Sequence, residues 1–121
     1  MNSEFSSYID DKAISDLQAL GGARFVVQMI DIFLVYAPKV IAEARSGLAR
    51  GNLEPVIRMG HSLRSSGRNL GAIRMVELAE CIEAAGRAGQ LPLLPPLLDQ
   101  IEQAFLLVKG GFEAIRARME P

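Results

Sequence analysis

The chain has one cysteine, one histidine and no tryptophan, and aromatic residues make up only 6% of its 121 positions. Each shortage excludes something. A lone thiol, Cys81, cannot close an internal disulfide, which fits a reducing compartment. One histidine and one distant cysteine cannot supply the three or four ligands of a zinc site. With so few aromatics, the core must come from Leu, Ile, Val, Ala and Met, a palette that favours helix over sheet. Neither charge sign is in excess, since 13 Lys and Arg face 14 Asp and Glu. A nucleic-acid-binding domain would show a basic surplus. No uninterrupted apolar run reaches the ~18–20 residues that span a bilayer, and the N-terminus lacks the basic start and apolar core of a signal peptide. A cytoplasmic protein without membrane insertion is the expectation.

No stretch alternates polar and apolar residues as a strand does. The apolar residues instead recur at helical spacing. Residues 1–7 read as a polar, flexible tail, and 8–121 as a single domain. Asp10 or Asp11 can cap a short helix through Leu20, ended by Gly21-Gly22. A long helix follows from about Ala23 to Arg50, with Val26, Ile30, Phe33, Ala37, Val40, Ile41 and Ala44 among its core positions. Pro38 lies inside it and removes a backbone donor, which predicts a kink or short break near Val35–Pro38. Gly51-Asn52 forms a turn, and Pro55 suits the first turn of the next helix, which Leu70-Gly71 closes. A helix over about 72–88 carries Ala72, Met75, Leu78, Ala79 and Ile82 on one face. After Gly89–Pro92 a last helix opens at Pro95-Pro96, with Leu97, Leu98, Ile101, Ala104, Phe105, Val108, Phe112 and Ile115 in its stripe. These patterns predict an all-α fold, an antiparallel up-and-down four-helix bundle with a short extra N-terminal helix.

The histidine helix stands apart. On a wheel of 100° per residue with His61 at zero, Val56, Met59, Leu63 and Leu70 fall between roughly 160° and 220°. His61 therefore points away from the core. Around it on the outer face lie Glu54, Ile57, Arg58, Arg64, Ser65 and Arg68. An exposed imidazole, with an ordinary pKa of about 6.5, is mostly neutral at pH 7 and can act as a nucleophile. Attack on a phosphoryl group would give a phosphohistidine. The arriving group brings about two negative charges, which Arg64, one turn on, can meet, with Arg58 and Arg68 on the same face. Other chemistries lack parts. There is no P-loop or dinucleotide glycine pattern, and Ser62, Ser65 and Ser66 flank the only base with no acidic orienter evident in the sequence. Cys81 and the core-facing Met29, Met59 and Met75 read as packing rather than chemistry. On the residues alone the reading stops at a helical bundle with a histidine face that suits anions.

The stretch His61-Ser62-Leu63-Arg64-Ser65-Ser66-Gly67-Arg68-Asn69-Leu70-Gly71-Ala72 resembles the histidine-containing phosphotransfer (HPt) domain family, which reads H-x-L-K-G-S-[SA]-x-x-L-G-A. Met75, Ala79 and Ile82-Glu83 match the helix that follows in that family. Gly51-Asn52-Leu53 matches its turn, and Phe33-Leu34 with Pro38 matches its long helix. The resemblance covers about residues 8–118. It implies that His61 is the phospho-accepting nucleophile and that Arg64 stands where the family has a Lys beside the phosphoryl group, although the two cations differ in geometry. Ser65 replaces a Gly that leaves space above the imidazole, so its hydroxyl either orients the ring or crowds it. Arg58, Arg68 and Ile57 remain candidate binding residues from their position on the face. The activity implied is relay: a phosphoryl group accepted from a receiver-domain aspartate and passed to another receiver. There would be no kinase activity and no cofactor of the chain's own, magnesium coming with the receiver. The partner would be a receiver domain of a response regulator or hybrid kinase, met by a monomer. The alternative is an HPt-like module that docks a receiver or another signalling protein without accepting phosphate.

Overall fold

The computed structural model describes residues 8–119, so the tail assigned to residues 1–7 lies outside the described residues. Four helices follow in order: α1 (Asp11–Ala49), α2 (Glu54–Leu70), α3 (Ile73–Arg87) and α4 (Leu94–Met119), with a single 3-10 turn at Leu91–Leu93 before the last. Asp10 starts α1, its carboxylate accepting the Lys12 backbone N–H at 3.0 Å. This satisfies one of the donors that every helix start leaves over.

The break in α1 is at Gly22, not at Pro38. Gly22 has φ 85° and ψ 176°, the one non-helical residue inside the element, in a region that L side chains essentially do not enter. Gly21 makes the bend possible in a second way, because a Cβ there would stand 2.6 Å from the Phe25 ring. The short extra helix is therefore the first limb of α1. At Pro38 the helix runs on. Pro38 is on the exposed side, where water can meet the carbonyl that loses its partner, so the missing hydrogen bond need not bend the backbone.

α1 closes with the Gly51 N–H on the Leu48 carbonyl (3.0 Å) and the Asn52 N–H on the Gly47 carbonyl (2.8 Å), a pairing that satisfies the last-turn carbonyls. Each helix then packs against its neighbour in the chain, and α4 returns against α1, giving the antiparallel up-and-down four-helix bundle. Val56, Met59, Leu63 and Leu70 of α2 are buried with Met75, Leu78, Ala79 and Ile82 of α3. From α1 and α4 come Ile30, Phe33, Phe105 and Phe112. Phe33 meets Phe112 edge-on with centroids 5.7 Å apart, a favoured aromatic geometry. At the rim, Arg45 of α1 binds Glu102 of α4 at 2.7 Å and also Asp99, while Asp31 and Arg116 pair at 3.0 Å. These contacts fix the antiparallel register of α1 and α4. At the other end of α2 the chain start is clasped to the α2–α3 turn: the Asp10 N–H donates to the Gly71 carbonyl at 2.7 Å and the Ile73 N–H to the Tyr8 carbonyl at 2.9 Å.

By length and composition α1 is apolar enough to cross a membrane, more so than its sequence suggested, because residues such as Ile32 and Val35 face outward in addition to the buried stripe. In the bundle that stripe is core.

Candidate functional site

His61 sits midway along α2 with 63% of its side chain exposed, opposite the buried stripe as the wheel predicts. What lies beside it is set by Gly60. A Cβ at that position would come within 2.8 Å of both the Ala79 carbonyl and the Glu83 backbone nitrogen. Without one, the backbones of α2 and α3 touch at this level. The contact places the side chain of Glu83 against the imidazole.

Glu83 is the one buried charged residue among those described, 7% exposed. Its Oε2 lies 3.5 Å from His61 Nδ1 and its Oε1 3.4 Å from Arg64 Nη2. Arg87, one turn on in α3, donates to Oε2 from Nη2 at 2.9 Å and from Nε at 3.2 Å. The Arg87 hydrogen bonds outweigh burial and, with the charges of Arg64, Arg87 and His61, hold the Glu83 carboxyl below its ordinary pKa. Ionised in this way, Glu83 puts beside the imidazole a carboxylate that the sequence did not make evident. Two signals pointed to it: its place in the Ile82-Glu83 pair, and a carboxylate bordering the apolar stripe of Met75, Ala79 and Ile82.

Arg64 Nη2 is 3.2 Å from His61 Nδ1, so Arg64 is brought to the ring. Nδ1 thus has two neighbours of opposite demand. Donation from Arg64 requires its lone pair, whereas an Nδ1–H faces the Glu83 oxygen. Only the second arrangement leaves the lone pair on Nε2, and no hydrogen bond among the described residues occupies Nε2. The ring as a whole is largely exposed, so a second protein can reach it.

The other predicted residues are distributed differently. Arg58 turns back along its own helix to Glu54 at 2.9 Å, away from the imidazole. Arg68 reaches across to Glu80 at 3.7 Å. Ile57 is half-buried, packed against Gly86 in the α2–α3 seam, where a Cβ on Gly86 would come within 2.9 Å of it. Ser65 is exposed and its hydroxyl makes no hydrogen bond among the described residues. Ser62 and Ser66 hydrogen-bond to backbone carbonyls of their own helix, as serines in helices commonly do. Arg58, Arg64 and Arg68, read from the sequence as a face that suits anions, are each matched by a glutamate, as are Arg74 and Arg87 of α3.

Fold and site together define a small helical domain that presents one histidine to solvent, backed by a buried carboxylate. The Hpt domain family matches residues 28–117, three-quarters of the chain, and the chain belongs to that family. Its architecture is similar to the crystal structure of histidine-containing phosphotransfer protein B from Pseudomonas aeruginosa PAO1, with a TM-score of 0.88 and 24% sequence identity over 93% of this chain and 97% of that one. No curated protein matches it. The chain is thus a phosphotransfer module of the kind used in phosphorelays.

Proposed function

We propose that this chain is a phosphorelay intermediate in which His61 accepts a phosphoryl group from a receiver-domain aspartate and passes it to another receiver. The observation that carries the reading is the imidazole itself: a ring 63% exposed, its Nδ1 beside the Glu83 carboxylate, on a helix whose other face is buried. In the accepting step the Nε2 lone pair forms a bond to phosphorus, and the acyl P–O bond breaks with its electron pair returning to the aspartate. The ring keeps its Nδ1 proton against Glu83 and becomes a phosphoimidazolium, so no proton need leave. Donation runs the same path backwards. Such a transfer asks a protein chiefly for positioning and charge compensation. The rigid α2 offers the first and Arg64 the second, after it exchanges Glu83 for the phosphoryl oxygens. Ser65, exposed one turn from His61, offers an unengaged hydroxyl. Arg68 and the exposed part of Ile57 form the rim a receiver would meet, and Arg58 lies farther out.

The reading makes the chain a carrier, not a kinase, acting in the cytoplasm as a monomer and using the magnesium of the receiver. Incubation with a phosphorylated receiver and magnesium should label it with acid-labile phosphate, and His61→Gln should abolish the label. Labelling that survives the substitution defeats the assignment. Receiver binding with no label in the unaltered chain points instead to a docking module.

A further inference from the structure

We infer that a dent in the α2–α3 seam beyond His61, walled by Ile73, seats one apolar side chain of a docked receiver, so that Ile73 anchors the receiver without touching the phosphoryl group. The inference rests on a receiver meeting His61, as proposed above.

The dent holds about 240 Å³. Its floor is Gly67, Gly71 and the half-buried Val76, and the two positions without side chains leave it open. Ile73 forms the wall, 40% exposed. Seven large apolar residues stand exposed among those described, and of these Ile73 is the one carried by α2 or α3. Size argues against a metabolite, because small-molecule sites run from about 300 to 1,000 Å³, whereas a single side chain fits. Charge argues against an ionic anchor. Around the dent Arg68 is paired with Glu80 and Glu77 with Arg74, and Asp10 accepts the Lys12 N–H. What remains on offer is apolar surface, and the fully covered part of an interface is its most apolar part. Position supplies the partner. Arg68, on the rim, lies about 20° round α2 from His61, so the dent opens on the face that carries the ring. Along the axis the helical rise puts Gly67 about 9 Å and Gly71 about 15 Å from His61. A signalling interface of ~600–800 Å² per partner reaches ~14–16 Å from its centre. A receiver centred on the imidazole therefore covers the dent.

The test titrates isolated receiver domains encoded in the same genome into the full chain by calorimetry, with a His61→Gln series alongside so that binding is read without transfer. Ile73→Lys puts an ammonium at the dent and keeps the clasp, because Ile73 bonds the Tyr8 carbonyl through its backbone N–H. It is expected to raise the receiver Kd about ten-fold, the scale of one anchor residue, and Ile73→Ala about three-fold. Leu106→Lys is the control: an exposed apolar residue on α4, a helix that does not pack on α2, where Kd should stay within about two-fold. In transfer kinetics Ile73→Lys should raise the receiver concentration that gives half the maximal rate, while the saturating rate is kept. An unchanged Kd in Ile73→Lys overturns the inference. So does a loss confined to the saturating rate, or an equal loss in Leu106→Lys. A change in the chain's own sedimentation with no change in receiver affinity makes the dent a contact between copies and overturns it too. Receiver binding that depends on Ile73 but leaves no phosphate on His61 overturns the relay reading only, and binding by no receiver overturns both.

Discussion

At the scale of the residue, the site turns on a buried carboxylate rather than on the cluster of arginines. A charge held out of water persists only with partners, and Glu83 has three cationic or potentially cationic groups around it. Because its folded pKa is lowered, its contribution to stability is present above the ordinary carboxylate value of 4.5 and is lost as pH falls through the folded value,. Glu83→Gln should therefore cost about 1–2 kcal/mol at pH 7, and the difference from the unaltered chain should shrink as pH falls from the ordinary carboxylate range through the lowered folded value of Glu83,. Denaturant unfolding followed from pH 7 into acid checks this, and a gap that is constant with pH contradicts it. The sequence named Glu83 only as part of a motif pair. Its nearness to His61 depends on how two helices meet, which no single helix's periodicity contains.

At the scale of the element, helix faces were legible because burial follows the 3.6-residue period. Every position assigned to the α2 and α3 stripes is buried. Interruptions were harder to rank. Pro38 and Gly22 are both helix-breaking residues, yet only Gly22 leaves helical geometry. A proline on an exposed side loses one hydrogen bond that water replaces, whereas a Gly-Gly pair offers a conformation closed to other residues. Since α1 keeps helical dihedral angles through Pro38, Pro38→Ala restores a backbone donor within the same helix. It should raise stability by on the order of 1 kcal/mol, less than the ~3 kcal/mol penalty of a proline inside an ideal helix. A thermal melt of the variant should show a higher midpoint, and a lower one would mean that Pro38 shapes the helix after all.

At the scale of the molecule, the bundle's job is to set one helix-to-helix distance. Gly60 has backbone atoms of α3 where a Cβ would go, and a backbone cannot yield as a flexible side chain can. Gly60→Ala should force α2 and α3 apart, with a loss of about 2 kcal/mol. It should also move Glu83 away from His61, which NMR of the imidazole nitrogens would register as a changed tautomer balance. An alanine variant with unaltered melting and unaltered ring signals would show that the approach is not tight. The clasp of Tyr8 and Asp10 on the α2–α3 turn and the Arg45 pairs between α1 and α4 hold the ends of the same frame.

By itself the sequence determined that the chain is helical, which faces are buried and that His61 points outward, because these follow from local period and composition. Its motif also marked Arg64 as the cation beside the ring. Only the tertiary structure decided that a carboxylate from α3 stands beside the imidazole, that Arg87 pairs with it, that Arg58 pairs with Glu54, and that Ile57 packs in part against Gly86. Those facts depend on where two helices touch, and contacts between elements distant in sequence are fixed by packing rather than by the pattern along either one.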